Sequence, residues 1–116
     1  MTFYTDRFIP KDSSGCARGP VILIRPAYRD DIGLLEHEKV HRWQWIRTMG
    51  LHSFLYMLSK KYKLSVEVEA YRKQLEYPHA HSVEHRRKLY ALWLSLPEPE
   101  GYGTLCTQAE GITLLL

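Results

Sequence analysis

Cysteine is scarce in this chain. Two residues among 116, Cys16 and Cys106, cannot build a disulfide framework, and free thiols point to a reducing compartment. No apolar run approaches the ~18 residues that a membrane-crossing helix requires. The opening residues, MTFYTDRFIPK, lack a basic start followed by an apolar stretch, so no secretory signal is read there. The expectation is a cytoplasmic protein with no membrane partner. An excess of one charge is missing too: 16 basic and 13 acidic residues are interspersed and leave a net charge of +3. That is not the concentrated basic footprint of a specific nucleic-acid binder. The short basic stretches SKKYK (59–63) and HRRK (85–88) read as solvated helix surface. There is no internal repeat, no low-complexity segment and no CxxC pair. The length fits one domain over residues 1–116, and nothing in the pattern sets an oligomeric state.

What is present has an α+β pattern, with two or three short strands and about four helices. TFYTDRFIP (2–10) has strand character ended by Pro10, KDSSGCARG (11–19) reads as a loop, and PVILIRP (20–26) reads as a buried strand between two prolines. A helix should start near Asp30 or Asp31 and stop at Gly50. A second is expected over 51–62, with Leu51, Phe54, Leu55, Leu58 and Tyr62 on one face. Ser65 can cap a third that ends before Pro78, and a fourth runs from about 82 to 96. The tail ends in GITLLL, a β-prone apolar run.

The chemistry concentrates in EHEKVHRWQW (36–45). His37 and His41 lie about 40° apart around a helix, with Glu38 at the edge of the same face. Two imidazoles one turn apart can grip one zinc ion, and the glutamate between them can act as general base on a water that the metal activates. A shuffled chain of this composition contains an HExxH in roughly 2% of cases, so the spacing alone is a moderate signal. The plain alternative is a pair of partly buried polar residues on a core helix. Ile32, Leu35, Val40, Trp43, Trp45 and Ile46 surround the motif, which makes a central helix packed from several sides the expectation. With two lone cysteines, three protein ligands and an open position fit better than a closed structural site.

SVEVEAYRKQLEY (65–77) offers Glu67 or Glu69 as third ligand. Glu69 falls on a charged face where Lys73 and Arg72 can pair with it. Glu67 shares a face with Ala70, Tyr71 and Gln74, and is favoured. Its bland explanation is a first-turn carboxylate that suits the helix dipole.

His37-Glu38-x-x-His41 followed after two helices by Glu67-Val-Glu-Ala70-Tyr71 resembles the gluzincin group of zinc metallopeptidases. It is most similar to short single-domain bacterial and phage zincin-like proteins, the minigluzincins included. The resemblance covers roughly residues 20–77. It implies a small zincin-like domain that holds Zn2+ through His37, His41 and Glu67, with Glu38 as base and a peptide or protein as substrate. Lys39 and Arg42 depart from the usual uncharged positions, and Tyr71 stands where larger members carry an aspartate.

For the oxyanion or the support of the ligands the candidates are Tyr71, His79, His81 and His85, with packing as the plain role of Tyr71 and a polar surface loop that of the histidines. In the peptidase reading the VILIRP strand forms the rim along which an extended peptide lies. Two other readings stand beside it: a zincin-fold metal-binding protein without protease activity, and a metal-free helical interaction module. Minigluzincins are associated with latency imposed by a C-terminal segment. Residues 104–116 could accordingly fold back as a strand beside 21–24, or simply finish the core.

Overall fold

The computed structural model describes residues 1–116. Three short strands, β1 (Thr2–Tyr4), β2 (Gly15–Arg18) and β3 (Val21–Ile24), form one sheet in the order β1-β3-β2. β1 runs parallel to β3 and β2 antiparallel to it. The run of branched residues in β3 is therefore central, with Ile22, Leu23 and Ile24 all buried. This corrects the expectation that 20–26 forms a rim, because both of its edges are taken. The rim is β2, which the Ser- and Gly-rich composition of 11–19 disguised as loop. The long segment between β1 and β2 is pinned by arginines: Arg25 donates to the carbonyls of Ser13 and Pro10 at 2.7 and 3.0 Å, and Arg18 to that of Phe8 at 3.0 Å.

After a single 3-10 turn at Pro26–Tyr28, α1 (Ile32–Arg47) begins where the Asp31 carboxylate accepts from the Leu34 amide. It crosses β2 and β3 on one side and α3 (Lys60–Gln74) on the other. Between them lies α2 (His52–Leu58). The expected helix over 51–62 is split at Ser59, whose extended backbone ends α2 and whose hydroxyl accepts from Tyr62 N to cap α3. Ser65 is not the cap. It lies inside α3, so Glu67 sits mid-helix, away from the terminal dipole.

The apolar residues around α1 are not uniformly covered either. Ile32, Trp43 and Ile46 are about half exposed, while the buried positions are Gly33, His37, Glu38 and Gln44. Packing against α3 thus buries the polar stripe of α1. Trp45 lies on the flank of α1 against two turns. A side chain's first carbon would stand 3.3 Å from its ring at Gly19 and 3.5 Å at Gly50. Both glycines have positive φ, which other residues adopt at a cost.

α4 (Val83–Ser95) is capped by Ser82 and stops before Pro97. The tail is α5 (Gln108–Leu114), opened by a reciprocal Thr107–Glu110 capping box. It packs on α4, where a Cβ on Gly111 would come within 2.9 Å of the Ala91 methyl. Leu115 joins Tyr71, Leu75, Tyr90, Ala91 and Leu94 in the core cluster. The tail is a helix in the core and not a strand beside 21–24, which removes the basis for strand-like occlusion. The chain is an α+β domain of five α-helices and a small sheet. No helix is long and apolar enough to cross a membrane, and both cysteines are free.

Candidate metal centre

α1 and α3 bring His37, His41 and Glu67 to one point. Nε2 of His41 is 3.2 Å from Nε2 of His37 and 3.0 Å from Oε1 of Glu67, and His37 Nε2 is 3.5 Å from the same oxygen. Two nitrogens and one carboxylate oxygen at the corners of a zinc tetrahedron stand about 3.3–3.4 Å apart, from bonds of about 2.0–2.1 Å. The donor set and its spacing therefore fit zinc. His37 and Glu67 are buried, and the His41 side chain is 11% exposed.

Burial alone would favour neutral imidazole at His41, but the charge and hydrogen bond of Glu67 outweigh it and hold its pKa at about 9. Burial would raise the Glu67 pKa. His41 and His37 instead hold it well below the usual carboxylate range. Glu67 and His41 thus attract each other across 3.0 Å, with His37 Nε2 beside both.

Around these three side chains lies a supporting layer that sequence reasoning missed. Gln44, fully buried, accepts at 2.9 Å from His41 Nδ1, which turns Nε2 toward Glu67. Its amide nitrogen donates to Val66 O at 3.1 Å and to Glu69 Oε1 at 2.5 Å, which fixes the orientation of the amide. Glu69 thus stays outside the ligand cluster and backs Gln44, while Lys73, expected beside it, pairs with Glu76. Tyr56 of α2 donates to Oε2 of Glu67. The i+3 spacing of Gln44 from His41 was available in the sequence; the approach of Tyr56 depends on the α2–α3 turn and was not.

Glu38 is 5% exposed and forms no ion pair. Burial raises its pKa, partly offset by His37 and His41. It lines two cavities. One, of about 380 Å³, runs between β2 and α2, with His52, Tyr56 and Met57 on the far wall. The other, of about 540 Å³, extends toward α4. Along the first, β2 offers an open edge. Ile22 N and Ile24 O of β3 bond toward β1, and Arg25 N bonds to Ser14 O. By the alternation of a strand, the amides and carbonyls of Gly15 and Ala17 then point away from β3.

The other candidates fall outside the cluster. The Tyr71 ring packs edge-on to His37 at 4.5 Å and its hydroxyl bonds that of Tyr102 at 2.6 Å. His79, His81 and His85 form an exposed file of rings, 5.5 and 4.8 Å apart, without a hydrogen bond to the ligands. His79 and His81 reach the second cavity; His85 does not line it. His52, which had no evident role in the sequence, lies 6.0 Å from His41 ring to ring and bonds Tyr62.

Comparison with models of known protein families, with curated proteins and with solved structures found no match for this chain.

Proposed function

We propose that the chain is a zinc-dependent peptide hydrolase of the zincin-like kind, with His37, His41 and Glu67 as ligands and Glu38 as general base. The observation that supports this reading best is the convergence of three donor atoms, 3.0 to 3.5 Å apart, beside a buried carboxylate on a cleft wall. The residues are those that carry the resemblance to gluzincins. Zinc held there supplies a Lewis acid for a carbonyl oxygen and makes water nucleophilic near neutral pH.

The protein's own groups do the rest. Glu38 takes a proton from the attacking water and returns it to the leaving amine, and its desolvated setting makes it a stronger base than a solvated carboxylate. The free edge of β2 pairs with an extended peptide through Gly15 and Ala17. Tyr56 and Gln44 hold Glu67 and His41 in place. The free thiols of Cys16 and Cys106 suit a reducing compartment, where we place the protein.

The test is metal content and turnover together. Purified protein should carry one zinc per chain and hydrolyse an unstructured protein such as casein, while Glu38→Gln should keep the zinc and lose hydrolysis. Zinc without turnover in the wild type replaces this reading with a metal-binding module, and absence of zinc from the wild type ends both.

A further inference from the structure

Arg86, at 4% exposure, is a buried cation with no counter-charge. Its guanidinium donates to the carbonyls of Gln74 at 3.4 Å and Tyr77 at 3.2 Å, which ties down the end of α3. The guanidinium also stands against the Tyr90 hydroxyl, its buried Nε is left without a partner, and Arg86 takes part in none of the ion pairs of the chain. Arginine cannot shed its proton to escape burial, so an unpaired guanidinium inside a protein is costly unless an anion joins it.

The place for that anion is the 540 Å³ cavity, whose walls include both Arg86 and the pair His37 and Glu38. Its floor is aromatic: the Tyr71 ring lies 4.5 Å from His37 and 4.4 Å from Tyr90, which is one helical turn from Arg86. The same cavity touches Glu38 and Arg86, so a chain cut beside Glu38 can reach Arg86 with a later residue. Asp12, Asp31 and Glu100 also line the cavity, but none forms an ion pair with Arg86, and Asp31 is committed to capping α1.

We propose that this cavity receives a carboxylate of the substrate at Arg86, which makes the enzyme selective for peptides with an acidic group a few residues beyond the bond that is cut. The proposal rests on the peptidase reading and narrows its substrate class. The carboxylate has two sources, a C-terminus or an aspartate or glutamate side chain. Either offers the planar pair of oxygens that a guanidinium binds well.

The test uses the full zinc-loaded chain and three peptides: one with a free C-terminus and no acidic side chain, its C-terminal amide, and that amide with an internal aspartate. The Arg86 Nε–H resonance, assigned by comparison with Arg86→Lys, reports contact. The free acid should shift it and be cleaved with a kcat/KM about tenfold above the plain amide, a preference that Arg86→Lys should abolish. If the aspartate amide does this instead, the carboxylate comes from a side chain. Equal cleavage of all three with an unmoved resonance overturns the carboxylate site and leaves the peptidase reading standing. A shifted resonance without cleavage of any peptide does the reverse.

Discussion

Helix α1 buries His37, Glu38 and Gln44 against α3, while α2, across the same cleft, buries none of its seven residues. Instead α2 exposes Phe54 at 61%, Met57 at 83% and Leu58 at 69%. One wall is polar and enclosed; the other is apolar and open. His37, His41 and Glu67 sit where packing and the Gln44 hydrogen bonds hold side chains and backbone, and α2 adds one bond to them, from Tyr56 to Glu67. The wall that a substrate would brush is the one with least holding it, and segments with few buried contacts open locally at low free energy. Tyr56, on the open wall, reaches across to the enclosed one, so the two walls meet at Glu67.

The largest effects should come from the enclosed wall. His37→Ala, His41→Ala and Glu67→Ala should each take bound zinc from one per chain to near none by elemental analysis, whereas Glu69→Ala should keep it. A full complement in His41→Ala would remove the assignment. Next comes Glu38→Gln, with zinc retained and hydrolysis lowered by about 10²–10⁴.

The third prediction is a pH dependence. Glu67 holds the metal-free His41 imidazolium to about pH 9, so zinc must displace a proton from it below that value. Apparent zinc affinity should therefore rise with pH, by up to roughly tenfold per unit, and level off near pH 9. Calorimetry in buffers of different ionisation heat measures the proton released, and a flat profile from pH 7 to 9 contradicts the His41–Glu67 coupling. Gln44→Ala should then weaken zinc binding by about 10–100-fold through loss of the Nδ1 partner, more than Glu69→Ala.

The smallest effect belongs to the open wall. Phe54→Ser and Leu58→Ser should change stability by no more than about 0.5 kcal/mol. Amides of α2 should exchange with solvent faster than those of α1 and α3. A loss of several kcal/mol in either variant would make α2 part of the core and dissolve the contrast.

How much of this was legible in the sequence follows from the range of the forces involved. The spacing of His37, Glu38 and His41 and the inward phase of Glu67 are local helical geometry, and the structure brings those side chains together. The branched run Val21–Ile24 and the Pro97 stop were equally local. β2 was not, because Gly15, Cys16, Ala17 and Arg18 become a strand only when β3 presents an open edge to them. Ser59 and Ser65 are both plausible caps, and which one serves is decided by how α2 folds back on α3. The helical tail was readable: Thr107 and Glu110 have capping-box spacing, outweighed by the β-prone look of GITLLL. The buried state of Arg86 depends on the 74–77 turn, which no local pattern announces.

Trp45 ties these walls together. Its indole fills the space beside Gly19, at the end of the β2 rim, and beside Gly50, just ahead of α2. The three positions are one heritable unit spread over thirty-odd residues of chain. Among descendants of this sequence, glycine should persist at 19 and 50 whatever ring stands at 45, because both positions hold a positive φ, and a Cβ at 19 would in addition press on the indole at 3.3 Å.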